Sequence, residues 1–175
     1  MILAIDTYYT TDVAKTVGVL FNDWRDTKAD SVIINYRYTE VAHYIPGEFY
    51  KRELPCILGL TNILDLSRID TIIVDGFVDL KHKDYSIGPG LGRYLWEALG
   101  RKIEVVGIAK TNYGLTDQIS DNILRGKGST KPLYVQSSTH NNMSVGEKVR
   151  NMYGENRLPY LLKLLDRETK KEEGA

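Results

Sequence analysis

Four side chains of this sequence, Asp6, Glu53, Asp75 and His140, are of types that together hold a hard divalent cation. Carboxylate oxygens without thiolates point to magnesium or manganese. Two aspartates at the ends of adjacent buried strands repel each other, by about 1 kcal/mol at 4 Å in water and several-fold more in a drier cleft. A shared proton offsets that repulsion, and so does a divalent cation. With the cation, the set is suited to hydrolysis of a phosphodiester by water: the metal polarises the phosphoryl oxygen, lowers the pKa of the water and stabilises the leaving oxygen. Singly, each residue has a plainer reading. An aspartate that closes a strand is more often a turn or cap residue, and a lone loop histidine is more often an exposed polar group.

The elements must therefore deliver the four to one place. Three β-rich segments come first, Ile2 to Tyr9, Asp12 to Phe21 and Ser31 to Tyr38, and their short links favour an antiparallel meander. Pro55 suits the first turn of a helix over "CILGLTNILDL", with Glu53 held just ahead of it. The continuous apolar runs "IDTIIVDG" and "IEVVGIAK" are buried central strands, and "KPLYVQSS" is a further strand. "GLGRYLWEALG" reads as a helix stopped by Gly100, and "SVGEKVRNMYG", with Ser144 as its N-cap, and "PYLLKLLDRETKK" as closing helices. The fold expected is α/β: a ribonuclease H-like mixed sheet, a three-strand antiparallel meander plus parallel strands, flanked by helices. A right-handed crossover sets the strand ending at Asp75 beside and parallel to the first, so Asp6 and Asp75 meet at the sheet edge where α/β folds bind ligands. His140, after "KPLYVQSS", is expected in the same cleft.

The 175 residues are enough for one domain, expected over 1–168, with 169–175 as an unstructured tail. The charged share of 26% and apolar share of 42% are those of a soluble globular protein, and no apolar run is long enough for a membrane span. "MILAIDTYY" reads as a first strand instead of a signal peptide, so a cytoplasmic monomer is expected. The single cysteine, Cys56, reads as a buried bystander. Zero net charge argues against a general nucleic-acid coat protein, yet basic residues outnumber acidic ones between 76 and 150, the better half for a polyanion. "GPGLG" could cradle a phosphate, but it lies well beyond the strand that such a loop should follow directly.

"YIPGEFYKREL", Tyr44 to Leu54, fits neither a strand nor a helix period cleanly, and it interleaves aromatic, basic and acidic residues around a Pro-Gly. This stretch, with "IIVDG", "VGIAK", "KPLYV" and the late "TH…S…RLP", resembles the endonuclease V family in order and rough spacing, from Ile2 to about Asp166. That family cuts DNA or RNA at deaminated adenine, inosine. The resemblance implies that Asp6, Glu53 and Asp75 are metal ligands, that His140 is an active-site residue, and that Lys110 lies near the substrate phosphates. It further implies that Tyr44, Ile45, Pro46 and Gly47 form a wedge that replaces stacking when a base is flipped out, with Gly76 also touching substrate. Cleavage would fall at the second phosphodiester 3′ to the lesion. Three features depart from the family: its DGHG is "DGFVD", with Phe77 in place of histidine; its A-S-H-x-G is Gly88 to Gly92; and His43 replaces the first proline of the wedge. The family usually has helical residues before its first strand, where this chain begins on the strand. The alternative these departures raise is a nuclease-like nucleic-acid binder with weak or no turnover.

Overall fold

Ile2–Tyr9 (β1) and Ala14–Phe21 (β2) bury successive side chains instead of alternate ones, because helices cover both faces of the sheet there. Ser31–Arg37 (β3) alternates between more and less exposed positions, as an edge strand covered on one face does. The computed structural model describes residues 1–38, 45 and 48–172, the side chain of Phe49 excepted. After β3 follow α1 (Phe49–Thr61), β4 (Thr71–Asp75), a small hairpin of β5 (Asp79–Lys81) and β6 (Ile87–Pro89), and α2 (Leu91–Ala98). The chain continues through β7 (Glu104–Ala109), β8 (Asp121–Ile123), β9 (Leu133–Ser137), α3 (Asn142–Arg150) and α4 (Tyr160–Lys170).

Seven strands form one mixed sheet in the order β3-β2-β1-β4-β7-β9-β8. The meander is antiparallel, and β1, β4 and β7 run parallel, so the fold is the α/β class the sequence predicts. One apolar core joins the sheet to α3 and α4 through Val145, Val149, Leu161 and Leu165. The other joins the opposite face to α1 and α2 through Ile57, Leu60, Leu91 and Leu95. Each such fully buried aliphatic side chain stabilises the fold by about 1.5–3 kcal/mol, which fixes the strands that carry the acids.

Four expectations need correction. Helix α1 begins at Phe49, ahead of Pro55, because its apolar stripe includes Tyr50 and Leu54; Tyr50 stacks on Tyr94 of α2 at 3.8 Å between ring centroids. Pro55 then lies inside the helix and forfeits a single backbone hydrogen bond. Helix α3 is preceded by Asn141, and Ser144 is in its first turn. The chain is ordered beyond 168: α4 runs to Lys170, Thr169 is buried, and the buried Lys15 ammonium donates to the Glu168 and Lys171 carbonyls. Residues 173–175 of the expected tail lie outside the described residues. Finally, β9 runs antiparallel to β7, which moves everything that follows it.

Candidate active site

Ile5 pairs with Val74 in parallel register, so the next residues are Asp6, within β1 just past its pairing with β4, and Asp75, the last residue of β4. Lys110 directly follows β7, whose Ile108 is the partner of Asp75. The Lys110 ammonium lies 3.6 Å from the Asp75 carboxylate and 3.9 Å from that of Asp166 on α4. Asp6, Asp75, Lys110 and Asp166 thus line one cleft, with Ile108 and Leu162 as its apolar wall. Asp166 is also held by Lys170 at 2.9 Å. Glu53, buried on α1, interacts electrostatically with both Asp6 and Asp75.

The turn out of β4 is packed as tightly as backbone allows. Gly76 has φ 139°, in the region that favours glycine, and a Cβ on Gly107 of β7 would come within 2.5 Å of the Gly76 carbonyl. Beyond it, the buried Gln136 side chain accepts from the Val78 and Asp79 amides at 2.8 Å and donates to the Asp79 carbonyl and the Ser120 hydroxyl at 3.0 Å. Arg93 clamps the Asp79 carboxylate through two nitrogens, at 3.0 and 2.8 Å. These bonds leave Asp75 a fixed backbone and an exposed carboxylate facing the cleft.

The acids repel one another as their placement requires. Burial first, then Asp75, pushes the Asp6 carboxyl up to about 6, against the lowering pull of the Thr7 amide and Lys110. Burial likewise pushes Glu53 up to about 8; Asp6 and Asp75 add to the rise, while the Tyr9 hydroxyl and Arg52 oppose it. Tyr9 is itself held to Glu53 and to the Arg52 carbonyl, and the Arg52 guanidinium lies 3.6 Å over its ring. Cys56 is buried nearby with its thiol pushed up by burial, an inert neighbour and not a nucleophile.

The fold therefore brings together Asp6, Glu53, Asp75 and Lys110. It does not bring His140. Because β9 is antiparallel to β7, Ser137 pairs with Val106 and the following turn lies beside Glu104, at the amino end of β7. His140, with φ 64°, is in that turn on the opposite edge of the sheet from Asp75. Replacing His140 by alanine is accordingly expected to leave any activity of this cleft within about twofold of wild type, measured as a single-turnover rate; a loss of a hundredfold or more would return it to the site.

Sequence reading missed Asp166, although a signal was present. It sits one turn after Leu162 and next to Leu165, both buried, so its carboxylate borders the buried stripe of α4. Of the expected wedge, Tyr44, Pro46 and Gly47 lie outside the described residues, and Ile45 is exposed. Phe77, where the resembled family has histidine, is buried against Tyr134. The "GPGLG" loop is no phosphate cradle: the Gly90, Gly92 and Arg93 amides are spent on the Val78 and Phe77 carbonyls. Among the described residues, no three His, Cys, Asp or Glu side chains stand in the geometry of a formed metal site. No described helix is long and apolar enough to cross a membrane.

No protein-family profile matches the chain, and no curated protein sequence does either. Solved structures do. The chain matches endonuclease V of Ciona intestinalis, solved with a 24mer DNA containing an inosine followed by a ribo-adenosine, at TM-score 0.71 and 15% identity, over 97% of this chain and 84% of that one. Human endonuclease V matches at TM-score 0.65 and 18% identity, over 97% and 82%. A protein of unknown function from Archaeoglobus fulgidus matches at TM-score 0.60 and 10% identity, over 96% and 95%. The fold of this chain is that of the endonuclease V structures.

Proposed function

We propose that this protein is a metal-dependent endonuclease that hydrolyses a phosphodiester bond 3′ to a deaminated purine, inosine, in DNA or RNA. The observation that carries this reading is the meeting of Asp6, Glu53 and Asp75 with Lys110 and Asp166 at the carboxyl edge of parallel strands, on a fold shared with endonuclease V.

The residues present fit a hard divalent cation. Their donors are all oxygen, and the carboxyls of Asp6 and Glu53, raised first by burial and then by the neighbouring acids, are groups whose charged forms a cation between them would favour. Asp6, Glu53 and Asp75, with Asp166 beside them, would hold magnesium or manganese. When bound, the cation supplies polarisation of the phosphoryl oxygen and a more acidic attacking water. The protein's own part is positioning. Lys110, with its backbone fixed at the end of β7, presents its ammonium to a phosphate oxygen in the cleft. The Tyr9 hydroxyl orients Glu53, whose proton must leave before the carboxylate can act as a ligand. The apolar wall of Ile108 and Leu162 keeps bulk water from the buried side of the acids. Tyr44, Ile45, Pro46 and Gly47 would serve as the wedge, and Gly76 would let the substrate approach the backbone beside Asp75.

One observation favours a second reading, a nuclease-like nucleic-acid binder of weak turnover: Phe77 fills core space where a polar active-site histidine is expected from the family pattern. Both readings are tested by cleavage of inosine-containing and adenosine-containing oligonucleotides, with wild type and Asp75→Ala, in magnesium, manganese or EDTA. The endonuclease is expected to cut only the inosine strand, only with metal, and at least ~10³-fold faster than the variant. Equal cutting by both proteins would overturn the assignment, and tight binding without cutting would establish the second reading.

A further inference from the structure

Asp166 faces two ways. It lines the acidic cleft, and it also lines a broad open groove between α4 and the turn that joins α3 to α4. Gly154 and Leu158 lie in this groove, with Tyr153 and Tyr160 along it. The two rings meet edge to face at 5.5 Å between centroids, and 51% and 43% of their surface is exposed. They are fixed from behind: the Tyr160 amide donates to the Tyr153 carbonyl at 2.8 Å, and Gly154, φ 119°, leaves room for Tyr160, since a Cβ there would stand 2.8 Å from the Tyr160 nitrogen. Lys163 also lines the groove and, among the described residues, has no acidic partner within ion-pair reach. The wall nearest the cleft is Arg157, whose guanidinium donates to the Lys110, Lys131 and Pro132 carbonyls. The groove and the Lys110 backbone are therefore one rigid unit.

A rigid exposed aromatic pair, an unpaired ammonium and a lining shared with the acidic cleft at Leu158 and Asp166 are the features that grip an unpaired nucleic-acid strand. Bases stack on rings whatever their identity, and phosphates follow lysine. We propose that this groove binds the single strand adjoining the bond to be cut, with one base stacked on the Tyr153–Tyr160 pair and a phosphate at Lys163. This rests on the nuclease reading, and it adds an anchor on the α4 side of the cleft.

The test is direct binding without cutting. Fluorescein-labelled oligonucleotides with 2-aminopurine placed at successive positions beside the inosine are titrated with protein in EDTA. Wild type is expected to quench 2-aminopurine at one position. Tyr153→Leu/Tyr160→Leu should abolish that quench and weaken binding about tenfold or more. Lys163→Ala should lower the slope of log K against log salt by about 0.7 while keeping the quench. Tyr153→Trp, which keeps a stacking surface, should retain binding and shows that a loss in the leucine variant does not come from misfolding. If wild type binds and cuts but neither variant changes quench, affinity or salt slope, the proposal is overturned. If wild type neither binds nor cuts any oligonucleotide, the nuclease reading itself has failed.

Discussion

Asp6→Asn is expected to abolish the metal-dependent cleavage proposed above, by ~10³-fold or more, and at the same time to make the protein more stable at pH 8. The reason is the proton that the fold stabilises on Asp6. In the unfolded chain this carboxyl titrates at 3.8, and in the folded protein at about 6, chiefly through burial and the facing Asp75. The folded state thus holds the proton more tightly than the unfolded one. Stability on this account is fully present below about pH 4, falls as pH rises through the window from about 4 to 6, and stays reduced above it, by roughly 2–3 kcal/mol. Asparagine is neutral throughout and its Oδ1 can still accept from the Thr7 amide, which lies 2.9 Å from the Asp6 carboxylate. Thermal melts should therefore separate the two proteins at pH 8 and bring them together at pH 4. Magnesium should raise the melting temperature of wild type more than that of the variant, because the cation offsets the same repulsion. A variant no more stable than wild type at pH 8, or equally stabilised at pH 4, would show that these acids are not in conflict.

Arg125→Met is expected to cost about 3–4 kcal/mol and to lower the melting temperature by roughly 10 °C. Arg125 is 7% exposed and, among the described residues, has no carboxylate partner. Instead its guanidinium donates to the carbonyls of Val149, Met152, Gly154 and Asn156, at 2.7 to 3.1 Å. The Val149 carbonyl belongs to the last turn of α3, so the cation caps that helix where its dipole is negative. The other three carbonyls shape the turn that leads into α4 and hence place Asp166. Methionine fills the volume but donates to none of the four oxygens; that of Val149 keeps the Met152 amide at 3.2 Å, and the others lose the guanidinium. Lysine should rescue only in part, since a single ammonium cannot reproduce the planar fork. Urea unfolding measures the loss; a change below about 1 kcal/mol would mean that water replaces the guanidinium.

Much of the site was legible without coordinates, because strands buried on both faces announce themselves as unbroken apolar runs. "LAID" and "IIVD" each end such a run on an aspartate, and short links forced the first three strands into a meander. The crossover rule then left one place for β4, beside and parallel to β1, so the pairing of Asp6 with Asp75 followed from local pattern and chirality together. Glu53 lies beside Asp6 and Asp75 as expected, though on a misplaced helix start: Pro55 marks helix starts well on average, but the packing of Tyr50 on Tyr94 extended the helix through it.

What the tertiary structure alone decided was the direction of β9 and the fourth acid of the cleft. The segment from Thr111 to Lys131 is rich in Gly, Ser, Thr and Asn and supplies no crossover helix, so the chain returns antiparallel and carries His140 to the far edge of the sheet. Local pattern fixes whether a residue faces a core, but not which distant residue stands opposite. Asp166 lies on the flank of an ordinary amphipathic helix, and only the docking of α4 against β1 and β2 sets its charge beside Asp6 and Lys110.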